Sequence, residues 1–174
     1  MAVLVLADHS NAALSDATAK TVSAAQAFGG DVDILVAGKG ARPAAEAAAK
    51  LSGVRKVLLA EGDALEHALA EAVEALVVPL MAGYDALFAS ATTTGKNVAP
   101  RIAAKLDVMQ LSEITKVIDK ETFERPIYAG NAILTVKSSD VKKIVTVRGT
   151  AFPAAATGGS APIETVEAPA GPYP

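Results

Sequence analysis

The stretch VRKVLLAEGDALEHALAEAVEAL, residues 54–76, sets a strand pattern and a helix pattern back to back. VRKVLLA, residues 54–60, ends in an unbroken apolar run, as in a parallel strand buried on both faces. The period then changes: Leu65, Leu69, Ala72, Val73 and Leu76 recur so as to fall on one face of a helix. Asp63 followed by Glu66 resembles a capping box at the helix start. His67, Glu71 and Glu74 take the opposite face, and His67 reads as a solvated helix residue.

The same succession recurs on either side. AVLVLA (2–7) and DILVAG (33–38) precede it, DALFASA (85–91) follows, and Ala-rich helical patterns lie between. This alternation predicts an α/β fold, a doubly wound and mostly parallel sheet with helices on both faces and right-handed crossovers. The chain is 51% hydrophobic but only 4% aromatic, so its interior is built from Ala, Val, Leu and Ile, which suits helices packed closely on a sheet. Sheets of this class place ligands at the carboxyl ends of their strands. The candidate loops are therefore ADHSN (7–11), AGKGA (37–41), AEGDA (60–64) and SATTTGKN (90–97).

The last loop resembles a phosphate-binding loop, which needs Gly, four residues, Gly-Lys and then Ser or Thr. Ser90 stands at the first Gly and Asn97 at the hydroxyl position, so only Gly95 and Lys96 fit and a nucleoside triphosphatase is disfavoured. A structural role is better supported: Asn97 caps a helix, Pro100 sits in its first turn, and Val98, Ile102 and Leu106 form a buried stripe. A helix N-terminus beside Lys96 can still attract a carboxylate or phosphate.

Asp8, His9 and Ser10 are the residue types of a hydrolase triad, but consecutive side chains point apart and read as a turn. His9 and His67 are the two histidines and there is no Cys, so no metal ligand and no disulfide is assigned. No catalytic residue is assigned either. Charge is uneven. Residues 1–95 carry 6 basic and 11 acidic side chains, residues 96–148 carry 10 and 6, and the remainder 0 and 2. The basic segment lacks the dense Lys/Arg stripe with interleaved aromatics that nucleic acid requires. No apolar run reaches membrane-spanning length and MAVLVLADHS lacks a secretory pattern, so a soluble, cytoplasmic protein is expected.

After about Val108 the pattern becomes mostly β. ITKVID (114–119), TFERPIYA (122–129), AILTVKS (132–138) and KIVTVRG (143–149) are strand-like, separated by DKE, Gly130-Asn131 and SSD, and predict an antiparallel β-hairpin region. Pro126 places its strand at an edge or at a bulge. From Pro153 onward the chain holds five of the nine prolines and reads as a flexible C-terminal linker. The expected organisation is an α/β domain over 1–152 and an Ala/Pro/Gly-rich linker over 153–174.

ATTTGKNVAPRIAAKLDV (91–108), TFERPIYAGNA (122–132), TVKS (135–138) and VRGTAF (147–152), in this order and spacing, closely resemble the N-terminal domain of the alpha subunit of electron transfer flavoproteins. The resemblance runs from the first strand to about Phe152. It implies a heterodimeric carrier that takes electrons from acyl-CoA and related dehydrogenases, as in fatty acid beta-oxidation, and passes them to a membrane quinone reductase. It also implies the bacterial cytoplasm, or the mitochondrial matrix in a eukaryote. In that family FAD sits mainly in a further alpha domain after a linker and AMP in the beta subunit, so no cofactor is expected for this chain alone and no FAD ligand is assigned. The segment is then an electron-carrier subunit's scaffold and not an enzyme in itself. Within 125–131, Arg125, Tyr128, Gly130 and Asn131 are candidate contacts with the beta subunit: a bidentate donor, an amphipathic anchor and a close backbone approach. The same residues are equally compatible with a hairpin serving the domain's own sheet. The rival function is a stand-alone adenine-nucleotide-binding module using the loops after the first and fourth strands.

Overall fold

In the computed structural model, which describes residues 1–173, each apolar run forms a parallel strand. These are β1 (Ala2–Leu6), β2 (Asp31–Gly38), β3 (Val54–Glu61) and β4 (Ala86–Ser90), linked by α1 (Asp16–Phe28), α2 (Arg42–Ala49) and α3 (Ala70–Leu80). Then come α4 (Thr93–Lys105), β5 (Gln110–Ile114), β6 (Lys116–Val117), β7 (Thr122–Ile127), β8 (Ala132–Lys137), β9 (Lys143–Val147) and β10 (Ile163–Val166). Seven strands form one parallel sheet in the order β10-β3-β2-β1-β4-β9-β5, and β6-β7-β8 form a small antiparallel sheet.

Strand alternation divides the interior into two layers. Val3, Val5 and Phe88 pack with α1 and α2 through Val22, Ala25 and Ala45. Leu4, Leu6 and Leu87 pack with α3 and α4 through Val73, Val98 and Ile102. Small side chains let the helices lie close: α2 buries only Ala44, Ala45, Ala48 and Ala49. Phe28 joins the antiparallel sheet to the core, its ring 5.4 Å from that of Phe88 and 6.2 Å from that of Phe123.

Several local expectations are corrected. KIVTV is not an antiparallel hairpin strand but parallel β9, fully buried between β4 and β5. All five of its residues are buried, Lys143 and Thr146 included, as in a strand covered on both faces. The helix expected from residue 63 is divided into a 3-10 turn, Asp63–Leu65, and α3, with Ala68 at φ 50 between them. Asp63 and Glu66 do not cap it. Both carboxylates are drawn to Lys39 Nζ, at 3.2 and 2.9 Å. His67 is exposed, but in that connection and not on a helix.

α4 likewise begins earlier than expected. Thr92 is its N-cap, the hydroxyl accepting the Gly95 N–H, so Asn97 and Pro100 both lie inside the helix. The Val98 and Ile102 stripe is buried as expected, with Leu106 partly so. Pro126 lies in the middle strand of the small sheet. Even so, β6 pairs no further along β7 than Glu124, so Pro126 has a partner, Ile133, on one side alone.

The segment expected to be a flexible linker carries β10, which pairs with β3 from Val57 to Ala60. Ahead of it, backbone bonds from Gly158 and Gly159 to Lys50 O and from Ala161 to Ala49 O dock the chain against the end of α2. Composition suggested mobility because prolines and alanines carry little apolar surface, but the attachment is made by backbone groups. Pro174, the last residue of that stretch, lies outside the described residues.

Candidate functional site

Strand order reverses between β1 and β4, and the crevice above their carboxyl ends is where such sheets bind ligands. Here it is filled. Thr21 gives its hydroxyl proton to Ala17 O at 2.9 Å, so Ser90 Oγ donates to Thr21 Oγ1 at 2.8 Å. Thr18 Oγ1 accepts the Asp8 N–H and donates to Asp8 O, which closes the first loop over α1. His9 spans from there to β2, with Nε2 donating to Ala37 O at 3.1 Å and Nδ1 accepting the Asn11 N–H at 3.0 Å. Burial holds the imidazole below its ordinary pKa.

The spaces left are about 40 and about 10 Å³, far short of the roughly 300 Å³ at which small-molecule pockets begin. Among the described residues no buried side-chain nitrogen or oxygen lacks a hydrogen-bond partner. The residues present therefore do not fit a flavin or an adenine nucleotide at this crevice. Nor do the described residues include a cluster of His, Cys, Asp or Glu that suits a metal ion, or a helix long and apolar enough to cross a membrane.

A larger cleft, about 500 Å³, opens beside the carboxyl ends of β5 and β9. Glu113, Arg125, Tyr128 and Arg148 line it. Glu113 Oε1 lies 2.8 Å from Lys96 Nζ, so the lysine of the apparent phosphate loop is held by a carboxylate of β5. That ion pair, helped by Arg148 and Arg125, keeps the Glu113 carboxyl below its usual pKa. Arg125 Nε donates to Ser112 O at 2.9 Å, while the Arg148 side chain is exposed. Among the described residues the arginines that pair with carboxylates are Arg55 and Arg101, not these two.

Backbone strain gathers round this cleft. Glu113, Tyr128 and Ala129 have φ of 51, 49 and 55, and Gly130 follows at 89. A left-handed conformation costs a residue with Cβ about 1–2 kcal/mol. The turn joining β7 to β8 is thus made by Tyr128, Ala129 and Gly130, and not by Gly130-Asn131 as expected. Asn131 is right-handed and donates its N–H to Tyr128 O.

Of the residues singled out in the sequence, Arg125, Tyr128 and Gly130 share the cleft, and exposed Asn131 does not line it. Tyr128 is 79% exposed. β8 is an edge strand whose Ile133 and Leu134 are also exposed. Glu113 and Arg148 were not singled out, because only the return of β9 beside β5 brings them to the hairpin. Their signal was the net positive charge of residues 96–148.

A parallel sheet with two helices on each face, a filled switch-point crevice and an antiparallel hairpin set between β5 and β9 defines a doubly wound α/β protein. Residues 3–171 match the family described as the Electron transfer flavoprotein domain, and the chain belongs to that family. It is 60% identical over 172 residues to Electron transfer flavoprotein subunit alpha of Bradyrhizobium diazoefficiens, covering 99% of this chain and 55% of that protein. It is 56% identical to the subunit alpha of Pseudomonas aeruginosa, covering 98% and 55%. To the mitochondrial subunit alpha of Dictyostelium discoideum it is 47% identical, covering 92% and 48%. The chain spans about half the length of the curated relatives it matches.

Proposed function

We propose that this chain is the subunit-pairing scaffold of an electron transfer flavoprotein alpha subunit, working in a heterodimer with a beta subunit. The heterodimer carries electrons from acyl-CoA and related dehydrogenases to a membrane quinone reductase, in the bacterial cytoplasm or the mitochondrial matrix. FAD, which supplies the redox chemistry, is held by a further alpha segment, and AMP by the beta subunit. The chain has no catalytic residue of its own; it positions the partners. The observation that supports this reading is the β7–β8 hairpin, where exposed Tyr128 stands beside the unpaired edge of β8. Exposed aromatic and arginine anchors beside a free strand edge suit a protein interface. The alternative, a stand-alone adenine-nucleotide module, is disfavoured by the filled crevice.

The test is titration of the beta subunit against the wild-type chain and the Arg125→Ala/Tyr128→Ala double variant, with circular dichroism recorded on both. Pairing through the hairpin predicts weaker association, by about 2 kcal/mol or more, with secondary structure retained. Unchanged affinity would place pairing elsewhere, and a collapsed spectrum would give the hairpin to the domain's own fold. The purified chain is expected to be colourless, and stoichiometric FAD absorbance would overturn the scaffold role.

A further inference from the structure

We propose that the cleft between β5 and the β7–β8 hairpin receives a carboxylate side chain of the partner subunit, held by Arg125 and Arg148 with the Tyr128 ring as its apolar wall. This rests on the pairing reading above and names the chemistry of its contact.

Charge is the first argument. Three cations, Lys96, Arg125 and Arg148, surround one carboxylate, Glu113, and Lys96 already holds it at 2.8 Å. Both guanidinium groups are left over. Arg125 spends Nε on Ser112 O and keeps its two Nη groups, while the Arg148 side chain makes no hydrogen bond among the described residues; only its backbone is engaged, the N–H donating to Ile114 O and the carbonyl accepting from the Ala151 N–H. A guanidinium presents paired N–H groups matched to the two oxygens of a carboxylate.

The second argument is the backbone. Glu113, Tyr128 and Ala129 all hold left-handed conformations and all line this one cleft. Three of the six non-glycine residues with positive φ among the described residues are thus gathered here, and strain held at a cleft is a motive for assigning it a function.

The third separates a protein-borne acid from a free ion. The cleft is broad, about 500 Å³, and Arg148 and Tyr128 are both exposed. Water competes well for a small ion at such a site. An acid delivered on a protein surface arrives with its translational freedom already lost and brings apolar area for Tyr128 to cover.

The experiment titrates the beta subunit against wild type, Arg148→Gln, Tyr128→Ala and, as a distant control, Arg42→Gln, at about 0.05 and about 0.5 M salt. The exposed Arg148 side chain makes no hydrogen bond or ion pair among the described residues and acts within the fold only through the field it adds at Glu113, so its removal reports chiefly on contact. Arg148→Gln is expected to weaken association about tenfold at low salt, the gap narrowing at high salt, with Arg42→Gln like wild type. If Tyr128→Ala weakens association and Arg148→Gln does not, the pairing surface stands and carboxylate reception is wrong. If neither weakens it, both fall. Inorganic phosphate is titrated into the chain in parallel. Sub-millimolar binding abolished by Arg148→Gln, with partner affinity unchanged, would make the cleft a small-anion site and overturn the proposal.

Discussion

Lys96 Nζ and Glu113 Oε1 lie 2.8 Å apart, joining the first turn of α4 to β5 across the carboxyl end of the sheet. A lysine that in a phosphate loop would reach a nucleotide is here neutralised by its own chain.

Replacing Lys96 by Ala should therefore leave the fold intact and cost under about 1 kcal/mol, since both partners are partly exposed. Calorimetric titration with ATP should show no tight binding to either protein. Tight binding by the parent that drops tenfold or more in the variant would restore a phosphate site.

Gly95 is required by close approach. A Cβ there would stand 1.9 Å from Ser90 O, a backbone atom that cannot rotate away. In an open helix Gly→Ala gains about 1 kcal/mol; here the sign reverses, and Gly95→Ala should lose about 2 kcal/mol or more in urea unfolding. Gly83→Ala, where nothing lies within 4 Å, is the control and should move stability little.

Asp33 is fully buried and accepts from Tyr84 Oη at 2.6 Å and from Arg55 Nε and Nη2 at 2.8 and 2.6 Å. Burial and this bond hold the Tyr84 phenol protonated well above its usual range. Removing the cation strands a buried charge, so Arg55→Met should cost about 2–3 kcal/mol and Tyr84→Phe about 1–2 kcal/mol. Denaturant midpoints that reverse this order would show that the phenol, not the ion pair, carries the carboxylate.

The pKa of His9 is lowered in the folded chain by burial. The unfolded chain then takes up the proton first, so the stability contribution is complete above the unfolded value of about 6.5 and is lost as pH falls from there towards the folded value. Between about pH 7.5 and 5.5 the wild type should lose stability, at up to roughly 1.4 kcal/mol per pH unit within the window, and His9→Gln should remove most of that dependence. Parallel pH profiles of the two proteins would exclude His9 as the cause.

The parallel core was readable because AVLVLA, DILVAG, VRKVLLA and DALFASA are buried runs whose partners follow closely in the chain. KIVTV has the same character, yet its neighbours β4 and β5 are fixed by topology, and no local pattern separates a central parallel strand from one arm of a hairpin. Thr92, not Asn97, caps α4 because the helix begins on threonines whose propensities do not set a boundary. β10 was missed for a different reason, its backbone pairing being invisible in an Ala/Pro-rich composition. For the candidate cleft, Arg125 and Tyr128 stand within one short block of sequence, whereas Glu113 and Arg148 come together only when the sheet closes.

The position of β9 has a consequence in time. β4 and β5 are neighbours in sequence but are not paired in the sheet; a strand that follows them in the chain lies between them. With strands spaced about 4.8 Å apart, a gap of about 10 Å must stay open, or reopen, until residues 143–147 arrive. Direct pairing of β4 with β5 is then a ready kinetic trap, and slow refolding is expected from a topology that inserts an inner strand late.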